Sequence, residues 1–253
     1  MPREPRKKSR SGIYHIMLRG INRQIIFEDD EDKRRLLETL IKYKSISNYS
    51  IYSYCLMDNH VHLLLKETGE SLSEAIKRIS SSYVYWYNMK YERSGHLFQD
   101  RYKSENVENG AYFLKVLRYI HQNPVKAGLT NNVFASKWTS INEYFQQDTM
   151  IDIDFGLQLF SPDRNKAIDL YIEYMLQPND DHCLEDIIKV RKSDDEVRKM
   201  LFQLGIPDKS TLQQMDKENR NAILARVKTM EGVSLRQLSR ITGISRSVIQ
   251  RVD

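Results

Sequence analysis

The sequence predicts an α+β fold: an antiparallel sheet with helices on one face, followed by an all-α region that ends in a helix-turn-helix. Three observations point there. Strand-like and helix-like segments alternate over the first 145 residues. Strand signals fade after about residue 146. The final stretch, Ser234 to Arg251, reads as a short helix, a turn at Gly243 and a second short helix.

The elements follow in order. Ile13 to Arg19 is a short apolar run with strand character. Asp30 to Ser45 has helical spacing, with Leu36, Leu37, Leu40 and Ile41 on one stripe. Ile51 to Met57 and Val61 to Lys66 read as two strands around a turn at Asp58 and Asn59. Ser71 and Glu74 form a capping-box pattern that opens a helix to about Met89. Arg101 to Val107 reads as a strand, which places Arg101 and Lys103 on one strand face. Asn109 is placed to cap a helix from Gly110 to about Asn123, stopped by Pro124 and then Gly128. The order βαββαβα is that of a ferredoxin-like domain. Beyond it, Asp163 to Leu176, Asp194 to Leu204 and Lys217 to Lys228 look helical. Leu235, Leu238, Ile244 and Ile249 supply apolar contacts for the last two helices, and Ser245 is placed to cap the second. The expected division is a basic tail at 1–12, a catalytic domain at 13–145, an acidic helical connector at 146–215 and a helix-turn-helix domain at 216–253.

The chain has 253 residues, 40% of them hydrophobic and 29% charged, which excludes wholesale disorder. No apolar run approaches the roughly 18 residues of a membrane span. The start is basic and lacks the apolar stretch of a secretory signal. Cys55 and Cys183 lie far apart, which fits neither a disulfide framework nor a paired-cysteine zinc site. A cytoplasmic, nucleoid-associated protein is the expectation. Net charge is +5 and unevenly spread. Basic residues crowd the start (Arg3, Arg6, Lys7, Lys8, Arg10) and the end (from Lys217 to Arg251). Acids dominate between about Asp148 and Glu196. Two basic ends suggest two polyanion-binding surfaces, or simply two solvated faces.

The sharpest local feature is His60-Val61-His62. On a strand, residues i and i+2 project from one face, so the two imidazoles stand side by side as a two-point metal chelate. The plain alternative is a half-buried strand whose histidines bond to neighbours. The second feature is Tyr119 with Asn123, four residues apart and on one helical face. An amide oxygen from Asn123 is a candidate third ligand, and the phenol a candidate nucleophile for phosphoryl transfer. Lys115 is a candidate for helping to remove its proton. The chain has 15 tyrosines, so composition alone selects none. His15, His96 and His121 rank below the pair as supporting or structural residues, because none has a partner at strand spacing. Arg19, Arg23, Arg101 and Lys103 are candidate phosphate contacts, and Tyr83, Tyr85, Trp86 and Tyr87 are candidates for stacking on bases or for the core. Arg246, Gln250 and Arg251 are left for an outward, duplex-reading face of the last helix.

From Ile13 to Leu129 the chain resembles the single-tyrosine HUH transposases of the REP-associated type. The pieces that carry the likeness are Tyr14, His15, Arg19 and Gly20; Arg23, Ile26 and Phe27; Met57 to His62; Gly95 and His96 through Gln99, Arg101, Lys103 and Ser104; and Arg118, Tyr119 and Ile120 with Asn123, Pro124 and Val125. The resemblance implies a nuclease domain that acts on single-stranded, hairpin-containing DNA. It implies His60, His62 and Asn123 as ligands of Mg2+ or Mn2+, and Tyr119 as the nucleophile. It implies a 5′-phosphotyrosine intermediate and a free 3′-OH. The region after residue 146 lies outside the minimal family domain and suggests added recognition of duplex DNA. Two other readings compete: a helix-turn-helix regulator with a catalytically silent front domain, and a metallohydrolase acting on small molecules. The latter leaves Tyr119, Asn123 and the basic ends unexplained. No coiled-coil seam indicates an oligomeric state.

Overall fold

A computed structural model describes residues 6–146, 149–178, 180–184, 192–230 and 232–252. Arg3 and Asp148, counted above in the charge pattern, lie outside them. The chain forms two compact units, residues 1–185 and 186–253.

The first unit contains β1 (Ile13–Arg19), α1 (Asp30–Ser47), β2 (Tyr49–Met57), β3 (His60–Glu67), α2 (Leu72–Lys90), β4 (Lys103–Asn106) and α3 (Gly110–Lys126). The four strands form one sheet in the order β2-β3-β1-β4, with every pairing antiparallel. This is the expected ferredoxin-like order. Local chemistry sets the boundaries. Asp29 accepts from the backbone N–H groups of Glu31 and Asp32, and the Asp32 carboxylate accepts from Asp29 N–H in return. At α2 only half of the anticipated box forms: the Ser71 hydroxyl accepts from Glu74 N–H, while Leu72 N–H goes to Glu67. Asn109 caps α3 through Tyr112 N–H at 2.8 Å.

The helices do not all lie on one face. The Tyr49 hydroxyl donates to Leu40 O of α1, and Tyr49 pairs with Glu67, on the same face as Leu65, Leu63 and Val61. α2 packs on α1 and shares that face. α3 lies on the other, where Tyr119 touches His15 and His62 and the Phe113 ring stands 5.1 Å from Tyr52. The reason is visible in β3. Val61, Leu63 and Leu65 are buried on one side and His62 and Leu64 on the other, so both faces need cover.

Pro124 does not stop α3. The helix runs through it to Lys126, and Gly128 at φ +70 ends the segment. Proline removes one backbone donor, but burial of Tyr119, Ile120, His121 and Gln122 holds the turn in place. β4 starts only at Lys103, so Arg101 lies before the strand and the expected common face for the two cations is not formed.

The stretch anticipated as a connector is divided between the two units. α4 (Ile153–Gln158) and α5 (Arg164–Leu176) belong to the first core. Phe155 meets Phe113 and Tyr52, and the Tyr171 ring stacks on Tyr144 at 4.5 Å. Arg118 then clamps Asp181. The apolar residues among the acids explain this: Ile153, Leu157, Tyr171 and Met175 are all buried.

The second unit has its own core. It comprises α6 (Asp194–Gln203), α7 (Lys209–Gln214), α8 (Lys217–Lys228), α9 (Leu235–Thr242) and α10 (Arg246–Arg251). Val197, Leu201, Leu212, Leu224, Leu238 and Ile249 pack together, with Leu235 and Ile244 half-buried against them. Gly243 turns the chain between α9 and α10 at φ +74, in the left-handed region where a side chain is strained. Ser245 stands at the start of α10, but its hydroxyl pairs with Ser247 rather than with the backbone.

Candidate active site

The tight β2–β3 turn sets His60 beside the end of β1, opposite Arg19, and His62 two residues deeper, opposite Met17. The two rings are 5.0 Å apart and nearly perpendicular. His60 Nδ1 pairs with Asn59 Oδ1 at 2.6 Å. His62 Nδ1 pairs with Nε2 of His15, across the sheet on β1, at 2.9 Å. Each ligand candidate thus engages Nδ1 and keeps Nε2 as its second nitrogen. Burial pushes His60 down to about 4, helped by the Arg19 charge and opposed by Asp58. Burial holds His62 well below the ordinary range, with His15, His60 and Arg19 adding to it. Both imidazoles are therefore neutral at neutral pH, the form that binds a cation.

α3 brings Tyr119 to this pair. Its ring is buried and lies 5.7 Å from the His62 ring and 5.7 Å from the His15 ring, edge-on to both. Lys126 Nζ stands 5.0 Å from the centre of the same ring. Arg19 interacts electrostatically with Tyr119 as well as with both histidines. Lys115, the cation the sequence suggested for the phenol, turns instead to Asp181 at 3.5 Å. Asn123 sits one turn beyond Tyr119 and donates Nδ2–H to Tyr119 O at 2.9 Å, which leaves Oδ1 as its acceptor end. Among the described residues no three His, Cys, Asp or Glu side chains cluster as a metal site. A cation here needs an amide or substrate oxygen beside the two imidazoles. The donor set fits one: two neutral Nε2 atoms on alternate positions of one strand face, with a carboxamide one helix turn from the phenol.

The remaining candidates scatter. Arg23 follows the β1 exit, where Gly20 is required because a Cβ would meet Gln24 O at 2.1 Å. Arg101 lines a cavity with Arg6, Lys7, Lys8 and Tyr102 at the start of α2. Lys103 opens β4, opposite Met17. Tyr83 and Tyr87 are core residues, Trp86 is half-buried, and Tyr85 is exposed. His96 is exposed, and His121 is buried in contacts with Ser140 and Tyr171. Arg246, Gln250 and Arg251 are exposed on α10 while Ile249 points into the core. His15, expected to be a supporting or structural residue, stands beside His62. Its place beside His62 depends on cross-strand register, which one strand's spacing does not reveal.

A histidine pair on one central strand of this sheet is thus faced by a helical tyrosine. Residues 8–123 match the family described as transposase IS200 like. Among solved structures, a REP-associated tyrosine transposase bound to a REP hairpin is similar at a TM-score of 0.50 and 17% identity, covering 60% of this chain and 93% of that one. A chain from Deinococcus radiodurans R1, provisionally assigned as a transposase, is similar at a TM-score of 0.34 and 17% identity, covering 48% of this chain and 97% of its own, a likeness that carries no argument. A comparison with curated proteins returns no match. Among the described residues no helix is long and apolar enough to cross a membrane.

Proposed function

We propose that the first unit is a metal-dependent single-strand DNA nicking and joining enzyme with Tyr119 as its nucleophile. One observation carries this reading: the Tyr119 ring lies 5.7 Å from His62, itself beside His60, so phenol and imidazoles can address one phosphodiester. Nε2 of His60 and His62 with Asn123 Oδ1 would hold Mg2+ or Mn2+, which would supply positive charge to the phosphate oxygens. This chain's own residues do the rest. Tyr119 Oη gives up its proton to solvent and forms a bond to phosphorus as the P–O3′ bond breaks; the leaving 3′-oxygen takes up a proton from solvent, which yields a 5′-phosphotyrosine and a free 3′-OH. Arg19 and Lys126 favour the phenolate electrostatically and so help the proton to leave. The stored linkage lets the reverse attack by a 3′-OH rejoin a strand.

The substrate class is single-stranded DNA containing a hairpin, as in the REP-hairpin complex of the similar structure. Arg19, Arg23, Arg101 and Lys103 are the proposed phosphate contacts. The second unit is proposed to bind duplex DNA through α9 and α10, with Arg246, Gln250 and Arg251 outward. A silent regulator would have no need of the assembled His60, His62 and Tyr119. The test is incubation of the full chain with hairpin single strands and Mn2+, followed by a denaturing gel. A slow band that vanishes on chelation supports the reading; hairpin strands that bind but give no such band with Mg2+ or Mn2+ contradict it.

A further inference from the structure

His15 is fully buried, and its Nε2 meets His62 Nδ1 at 2.9 Å. Both rings are neutral, so one nitrogen donates and the other accepts. Two arrangements satisfy the contact. If His62 Nδ1–H donates, its Nε2 carries a lone pair and His15 carries its proton on Nδ1. If His15 Nε2–H donates, His62 carries its proton on Nε2 and cannot coordinate there.

Glu105 breaks the tie. It pairs directly with His15 across β1 and β4, so the two side chains share a face. Its Oε2 lies 3.9 Å from His15 Nδ1, a charge contact rather than a hydrogen bond. His15 Nδ1 is buried and, among the described residues, has no hydrogen-bond partner, so this carboxylate is the group that decides what it carries. A proton there faces a negative charge favourably, and a lone pair there would face it unfavourably. Leu184 N–H donates to Glu105 Oε2 at 3.1 Å and steadies the carboxylate in place.

We propose that Glu105 and His15 are positioning residues: together they hold His62 in the tautomer whose Nε2 is free to bind a divalent cation. The chain runs from β4 through β1 to β3 on one face of the sheet. It rests on the proposed metal site, and it explains why a strand position outside the His60–His62 pair carries a third buried histidine. Partners that orient a ligating histidine are commonly worth about 10- to 100-fold in metal affinity.

The first measurement needs no substitution. Nitrogen-15 spectra of the metal-free full chain report which ring nitrogen holds each proton. Expected are protons on Nδ1 of both His62 and His15; a proton on Nε2 of His62 overturns the proposal. The second is Mn2+ binding by calorimetry, with folding checked by circular dichroism. His15→Phe lowers affinity about 10- to 100-fold, and Glu105→Leu lowers it in the same direction. His15→Gln, whose amide oxygen still accepts from His62 Nδ1–H, retains most of it. His60→Ala separates the two ideas. Loss of binding in His60→Ala with unchanged binding in His15→Phe overturns the positioning role and leaves the metal site standing. Unchanged binding in both overturns both.

Discussion

Histidines occupy two places around α3, the sheet that faces it and the helix itself, and they differ in how their ring nitrogens are used. His121 is fully buried, with Nε2 against the Ser140 hydroxyl at 2.9 Å and Nδ1 against the Tyr171 hydroxyl at 3.1 Å. Both its nitrogens are used. His60 and His62 are pushed down by burial in the same way, yet among the described residues each has only Nδ1 engaged in a hydrogen bond. Burial and a depressed pKa are shared by a packing histidine and a candidate ligand. An unspent nitrogen beside a phenol is what separates them.

The largest effect that sharpens this contrast is on strand cleavage. His62→Ala and Tyr119→Phe each lower it by about 10³-fold or more, since a charge-stabilising or nucleophilic group is worth several kcal/mol. His121→Phe leaves cleavage by the folded protein within about threefold, measured on the same hairpin strand. Its cost falls on stability instead: two buried hydroxyls lose a partner, about 1–3 kcal/mol by urea unfolding. Equal losses of cleavage in all three variants would break the contrast.

Acid sharpens it further. Burial holds His121 down to about 3, against an ordinary value near 6.5. Below 6.5 the unfolded chain binds a proton that the folded chain refuses. The stability from a neutral His121 is therefore complete above about 6.5 and is lost progressively as pH falls towards about 3. His121→Phe flattens that part of the profile, as followed by thermal melts between pH 7 and 4. An unchanged slope would show that His121 is not the group that titrates.

Much of this was legible in the chain. β1 spans the expected Ile13–Arg19, and α8 the expected Lys217–Lys228, because apolar period and caps agree locally. The His60–His62 pair and the Tyr119–Asn123 spacing were readable because each lies within one element. What spacing does not carry is which elements meet. The face taken by α3 is set by the need to cover His62 and Leu64, and the approach of His15 by register with β3. Pro124 misled because tertiary burial outweighs one lost donor. The acidic stretch looked like a connector because its charge drew attention away from the apolar residues, such as Ile153, Leu157, Tyr171 and Val197, that seat it in the two cores.

Smaller effects lie in the second unit, which carries no histidine. Chelation is expected to abolish cleavage while leaving duplex binding by the full chain unchanged in a gel-shift assay. Gly243→Ala places a side chain at φ +74 and costs that unit about 1–2 kcal/mol, weakening duplex binding but not single-strand cutting. Arg246→Ala weakens duplex binding and, if Arg246 meets a phosphate, reduces the salt slope by about 1.

The most direct measurement is to isolate the covalent protein–DNA product, digest both components and locate the modified peptide by mass spectrometry. A nucleotide phosphate on Tyr119, formed with Mn2+ and absent from His62→Ala, is the predicted result. A phosphate on any other side chain, or the same yield from the His62 variant, would contradict the account.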